Sequence, residues 1–249
     1  MRSTVYKLER AGFERPLRIA LVADLHAGDP AEALKLLKRE APDYILLAGD
    51  IVEALDGSCD QRNEAAFGIF EGCANIAPTF YCTGNHEDGG IHSGTRKWRE
   101  GKGKPRVYTS ENVDRIKASG VHFLLNDYVV VDGIAFGGLA SGLINEDCRP
   151  DIAFLEDFSK LTQPKVLICH HPEYYEQYVK NNGIDIIVSG HAHGGQWRIF
   201  GMGVYAPGQG LFPKYTSGVH DGCFVITKGL KKNWIPRFFN RKEIVIIEI

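Results

Sequence analysis

Leu17-Arg18-Ile19-Ala20-Leu21-Val22-Ala23-Asp24, then Pro30 to Ala41, then Tyr44-Ile45-Leu46-Leu47-Ala48-Gly49-Asp50 form the stretch that decides how this chain folds. The outer pieces are short aliphatic runs, and each stops at an aspartate. Between them Ala33, Leu34, Leu37 and Ala41 recur at helical spacing, and Pro42 closes the segment. Strand, helix and strand in this order imply parallel strands joined by a right-handed crossover. Both strands then end at one edge of a sheet, where open α/β sheets bind their ligands.

The pattern repeats outward. A helix is expected from about Gln61 to Ala74, with Ala66, Ile69, Phe70 and Cys73 on one face. Thr79 to Thr83 reads as the next strand and delivers Asn85 and His86. Lys165 to Cys169 precedes His170, and Ile184 to Val188 precedes His191, by the same logic. Tyr128-Val129-Val130-Val131 and Ile134-Ala135-Phe136 flank an Asp132-Gly133 turn, the signature of a hairpin. Gln196 to Ile199, Cys223 to Ile226 and Glu243 to Ile247 make the C-terminal third strand-rich. A second sheet packed on the first accounts for these later strands. No linker, repeat or low-complexity segment interrupts the chain, so residues 1–249 are expected to form a single α/β domain.

Five polar clusters follow the apolar runs: Asp24-Leu25-His26, Gly49-Asp50, Gly84-Asn85-His86-Glu87, His170-His171 and Gly190-His191-Ala192-His193-Gly194-Gly195-Gln196. Of the 9 histidines, only His92, His122 and His220 fall outside them. Carboxylates, an amide oxygen and imidazoles are the mixed donors that divalent transition metals accept. Two pairs of this spacing, Asp24 with His26 and His191 with His193, could hold two cations together with one shared carboxylate. Asp50 suits that bridging role between two ions roughly 3.5–4 Å apart. Asn85 adds a neutral oxygen. A bridging water would give a hydroxide near neutral pH, able to attack phosphorus in line.

His86 is placed to donate a proton to a leaving oxygen or to stabilise the transition state, and Glu87 to orient an imidazole. Of the adjacent pair, His170 directly ends the strand and is the expected ligand, with His171 turned toward the cleft or solvent. Gly194 and Gly195 read as a turn. Gln196 reads either as a hydrogen-bonding residue behind the ligands or as the first residue of a strand.

A net charge of -2 and a pI near 6.5 argue against a mainly electrostatic nucleic-acid binder, and no stable nucleic-acid partner is expected. The 6 cysteines include no Cys-x-x-Cys pair and read as free thiols of a reducing compartment. No apolar signal core opens the chain, and no run approaches the ~20 apolar residues of a membrane span. The expectation is a soluble cytoplasmic protein. Arg96 to Arg106, a basic stretch around Trp98, reads as a cleft rim or a solvated loop. Lys231 to Phe239 mixes basic and aromatic residues and raises peripheral membrane contact.

Taken in order from about Arg18 to His193, Asp-x-His, Gly-Asp, Gly-Asn-His-Glu, the strand-end His and Gly-His-x-His resemble the motif series of calcineurin-like metallophosphoesterases. The resemblance implies a two-sheet sandwich flanked by helices, a four-layer αββα arrangement, around a dinuclear site. It implies one ion on Asp24, His26, Asp50 and His193, the other on Asp50, Asn85, His170 and His191, and His86 as the catalytic histidine. The ions would be two divalent transition metals from among Mn, Fe, Zn, Ni and Co. The extended Gly-His-x-His-Gly-Gly-Gln form resembles a bacterial branch that includes UDP-diacylglucosamine pyrophosphatases. Gly49-Asp50-Ile51-Val52-Glu53 departs from the protein phosphatases, whose Gly-Asp is followed by Asp-Arg-Gly, and this disfavours a phosphoprotein substrate. The expected activity is hydrolysis of an anionic phosphoester at a phosphodiester or pyrophosphate bond. A nuclease or cyclic-nucleotide phosphodiesterase is the alternative on the same site. A non-catalytic scaffold would be expected to have lost ligands that this chain retains.

Overall fold

A computed structural model describes residues 1–9, 12–88, 108–142, 149–231 and 237–249. Among these residues the strands form two six-stranded sheets and two short hairpins. The first sheet runs β1 (Arg2–Lys7), β16 (Glu243–Glu248), β2 (Arg18–Val22), β3 (Tyr44–Ala48), β4 (Thr79–Cys82) and β5 (His122–Phe123). The second runs β14 (Gly218–His220), β15 (Phe224–Ile226), β9 (Ile186–Ser189), β8 (Lys165–Cys169), β7 (Ile134–Leu139) and β6 (Asp127–Val131). Strands β2 to β5 are parallel, as are β7, β8, β9 and β15. The β6–β7 hairpin turns at Asp132 and Gly133, both with positive φ, as an Asp-Gly turn requires.

Period-two alternation sorts the side chains into layers. Ile19 and Leu21 of β2, Tyr44 and Leu46 of β3, and Val166 and Ile168 of β8 share one buried core between the sheets. Ala20, Val22, Ile45 and Leu47 point the other way, onto the buried faces of α1 (Ala31–Glu40) and α2 (Asp60–Ala74). The expected α2 face of Ala66, Ile69, Phe70 and Cys73 is buried. On α1, Leu36 joins Ala33 and Leu37 in the core and Leu34 lies at its margin. A single turn, α3 (Asn85–Asp88), follows β4, and α4 (Ser110–Ala118) adds Ile116 to the same outer layer. Helix α5 (Ile152–Ser159) and the π-helical turn Tyr175–Val179 cover the second sheet. The four layers expected from the sequence are present.

The inter-sheet core is centred on aromatic contact. Phe136 is fully buried; its ring lies 3.8 Å from that of Phe80 at 11°, and 5.0 Å from Tyr44. Phe136→Ala is expected to cost about 3–5 kcal/mol, by lost burial and a cavity between two rigid sheets. Urea unfolding measures it.

Two assignments from sequence need correction. Glu243 to Ile247 does not join the second sheet: β16 inserts between β1 and β2 of the first. Its alternate residues, Val245 and Ile247 inward and Ile244 and Ile246 outward, match the two-faced burial of an interior strand. Gln196 is not the first residue of a strand; it turns at φ 57° ahead of β10 (Arg198–Ile199). Of the described cysteines, Cys59, Cys73, Cys82 and Cys169 are free and buried, and Cys223 is free and partly exposed. No helix among the described residues is long and apolar enough to cross a membrane. The stretch from Arg96 to Arg106 lies outside the described residues, as do Lys232 to Pro236 of the tail.

Candidate metal centre

All five polar clusters meet at the C-terminal edge of the parallel strands. Asp24 follows β2, Asp50 follows β3, Asn85 follows β4, His170 follows β8 and His191 follows β9. Strands of both sheets therefore contribute, and the convergence comes from the sandwich rather than from one sheet. Asp24, His26, Asp50, His191 and His193 all adopt left-handed backbone, with φ between 47° and 64°. Asp, Asn and His tolerate that region better than most residues, but it still carries strain, and strain of this kind collects at functional sites.

Close approach of the loops fixes Asp50. A Cβ on Gly84 would fall 2.4 Å from Asp50 Oδ1, so only glycine lets the loop after β4 lie against the loop after β3. His86 N–H donates to Asp50 Oδ1 at 2.9 Å. Asp50 Oδ2 is left facing three imidazoles: His170 Nε2 at 3.3 Å, His26 Nε2 at 3.5 Å and His86 Nε2 at 3.8 Å. Asn85 Oδ1 lies 3.2 Å from His170 Nε2. On the other side, Asp24 Oδ1 lies 3.9 Å from His26 Nε2 and 3.7 Å from His193 Nδ1, and accepts from His191 N–H at 3.1 Å.

Four groups among the described residues have donor atoms within 4.8 Å of one another and could each hold an ion, and two of these triads are made of the expected ligands: Asp24, His26 and His193, and Asp50, His170 and His191. Their polar atoms fit that use. Among the described residues, Asp24 Oδ2, His26 Nε2 and His193 Nδ1 are buried without a hydrogen-bond partner, a costly state for polar groups that a cation would relieve. Burial lowers His26 to about 4 and His191 to about 3, and also lowers His193, leaving their rings neutral and able to offer a lone pair. Burial pushes Asp24 up to about 6. Burial likewise opposes ionisation of Asp50, but His170 and His86 outweigh it and hold that carboxyl well below its usual range. His170 donates from Nδ1 to the Ala48 carbonyl at 2.7 Å, so its Nε2 is the atom turned to the cluster.

A family profile described as calcineurin-like phosphoesterase matches residues 17–195, which takes in both triads, Asn85 and His86. The chain belongs to the calcineurin-like phosphoesterase family. It is accordingly a phosphoric ester hydrolase. Phosphodiesterase YaeI of Escherichia coli (strain K12) is 27% identical over 255 residues, covering 94% of this chain and 82% of that protein. YpbG of Bacillus subtilis (strain 168) is 25% identical over 246 residues, covering 95% and 82% respectively. Among solved structures, TT1561 of Thermus thermophilus aligns with TM-score 0.43 and 15% identity over 71% of this chain and 82% of that one.

Around the ligand candidates of this calcineurin-like phosphoesterase, several supporting residues differ from those expected. Among the described residues, Glu87 makes no hydrogen bond or ion pair to an imidazole. Its carboxylate accepts from the backbone N–H groups of Asp50, Ile51, Val52 and Gly84 and from Tyr81 Oη, bracing the loop that carries Asp50. Glu53, three residues after Asp50, does the orienting instead: its Oε2 lies 2.8 Å from His86 Nδ1 and its Oε1 3.3 Å from His26 Nδ1. Burial works against ionisation of Glu53, yet the two histidines hold its carboxyl far below the ordinary range. His171 is 6% exposed and does not face solvent. Its Nδ1 meets Glu173 Oε1 at 3.0 Å and its Nε2 meets Ser141 Oγ at 2.9 Å, while Glu173 also reaches His191 Nε2 at 3.7 Å. Asn240, next to β16 in the sequence, donates to the carbonyls of His193 and Gln196 and holds the second His-x-His turn. Gly194 and Gly195, at φ 68° and 79°, belong to that turn.

Proposed function

We propose that this chain is a dinuclear metal-dependent phosphodiesterase acting on phosphodiester or pyrophosphate bonds. The observation that carries the reading is Asp50: one buried carboxylate oxygen faces imidazoles of both halves of the cluster. Asp24, His26, Asp50 and His193 would hold one divalent ion, and Asp50, Asn85, His170 and His191 the other. When bound, two such ions supply positive charge to the phosphoryl oxygens and a water acidic enough to serve as nucleophile near neutral pH. Mn, Fe, Zn, Ni and Co all suit these donors.

The remaining work falls to the chain's own groups. Glu53 can only accept, so His86 Nδ1–H donates to it and His86 Nε2 is the atom turned toward the cluster. Burial opposes a proton there, but Asp50 and Glu53 outweigh it and raise the His86 pKa. The shift favours a proton on His86 Nε2, the position from which it would serve the leaving oxygen and set a positive charge beside the phosphoryl group. Preference for a diester is supported by the Escherichia coli relative, named a phosphodiesterase and aligned over nearly the whole of this chain. We place the protein in the cytoplasm, a reducing compartment that suits its free buried thiols.

Metal-stripped protein reloaded with Mn tests the reading. Bis-p-nitrophenyl phosphate is expected to be cleaved faster than p-nitrophenyl phosphate, and only with metal present. Turnover of the monoester alone would leave a phosphatase, and turnover of neither by folded, loaded protein would end the assignment.

A further inference from the structure

Beside the metal centre the surface carries an apolar projection that the hydrolytic reading does not use. Just after the second His-x-His turn, the chain forms two small hairpins, β10 with β11 (Met202–Gly203) and β12 (Tyr205–Ala206) with β13 (Gly210–Leu211). Phe200 at the tip of the first is 97% exposed, and Phe212, which follows β13 at the open end of the second, is 76% exposed. Phe239, on the segment leading to β16, is 91% exposed. A groove of about 750 Å³ lies among Trp197, Ile199, Phe200, Val204, Phe238 and Phe239. Contiguous apolar surface on this scale marks an interaction site.

Backbone geometry gives an independent sign. Phe200, Phe212 and Phe239 all sit at positive φ, 49°, 50° and 52°. Glycine or asparagine adopts that conformation readily; a bulky aromatic does so at a cost, and exposure in water adds another. None of the three has a counterpart in packing, because their rings are largely uncovered among the described residues, and Phe200 and Phe239 line the same groove. An apolar medium outside the protein gives them a use.

Charge identifies the medium. From Ile186 to Lys242 the chain holds eight basic residues and one acidic residue, Asp221, within a chain of net charge -2. Arg2, Lys231, Arg237, Arg241 and Lys242 line a cleft of about 510 Å³ with Asn240, and the run Arg237-Phe238-Phe239-Asn240-Arg241 joins this cleft to the aromatic groove. Protruding aromatic side chains beside a cationic cleft match the two layers of an anionic bilayer, acyl chains and phosphate headgroups. A second copy of the chain would set like charges against each other. We infer that the first hairpin tip, with Phe200, and the Phe238–Phe239 segment dock this protein peripherally on an anionic lipid bilayer. Asn240, which grips the His193 and Gln196 carbonyls, ties the docking surface directly to the metal centre.

Co-sedimentation with vesicles tests the inference on the intact protein. Wild-type protein is expected to pellet with phosphatidylcholine vesicles containing about one-third phosphatidylglycerol, and far less with phosphatidylcholine alone. The double variant Phe200→Asn, Phe239→Asn is expected to partition roughly tenfold less or weaker still. Asparagine accepts both left-handed positions, so the thermal midpoint should not fall, which separates lost docking from lost folding. Equal partitioning of variant and wild type, or no sedimentation with any vesicle, overturns the proposal. So does a lipid-free dimer that the same two substitutions dissolve, since the occupant would then be a second copy. The readout is partition and not turnover, so it stands or falls separately from the phosphodiesterase reading.

Discussion

Asp50→Asn is expected to lower kcat/KM for bis-p-nitrophenyl phosphate by on the order of a thousandfold and to strip the protein of much of its bound divalent metal. The amide keeps the shape of the side chain, and its oxygen can still accept from His86 N–H. What it removes is the charge between the two halves of the cluster. Asp50 Oδ2 is 3.3 Å from His170 Nε2 and 3.5 Å from His26 Nε2, so an amide NH2 there would turn a donor toward both rings. Burial makes the change more severe, because at 1% exposure no water can replace the lost charge. Kinetics with metal analysis, and circular dichroism to show retained fold, measure the effect. Turnover within a few-fold of wild type, with metal retained, would remove Asp50 from the bridging role.

His86→Asn is expected to act differently: kcat falls by roughly a hundredfold to a thousandfold while bound metal stays close to the wild-type amount. The reason is geometric. His86 turns Nδ1 to Glu53 at 2.8 Å and Nε2 to the cluster, 3.8 Å from Asp50 Oδ2, so it serves the reacting groups and not the ligand set. The loss should grow with the basicity of the leaving group, being larger for a phenyl ester than for a nitrophenyl ester, because the weaker leaving group needs the proton more. A uniform loss across leaving groups, with metal lost in step, would make His86 a ligand instead.

Most of the fold was legible because burial on both faces writes itself as unbroken aliphatic runs. Tyr44–Ala48 and Lys165–Cys169 are strands with the limits their composition suggests. The edge strand β1, Arg-Ser-Thr-Val-Tyr-Lys, was not legible, since its polar, half-exposed residues carry no apolar pattern. Nor was the place of β16, because which sheet a strand joins is a long-range matter that local periodicity does not encode. At the site, the candidate ligands could be read as clusters because each ends a strand. Their supports could not. Glu53 had one local sign, its position three residues after Asp50 at a strand end. Glu173 meets His171 two residues before it, but its reach to His191, 18 residues on, and that of Asn240 to His193, 47 residues back, exist only in the folded chain. Glu87 was misassigned because adjacency to His86 says nothing about direction: on a single helical turn neighbouring side chains point apart, and Glu87 points back into the loop of Asp50.

The central claim is that Asp50 joins two metal sites into one hydrolytic centre. Titrating metal-free protein with Mn, while following bound metal and bis-p-nitrophenyl phosphate turnover together, tests it most directly. Turnover is expected to rise with the second equivalent and to level off at about two ions per chain. Full activity at one ion, or activity that does not depend on bound metal, would contradict it.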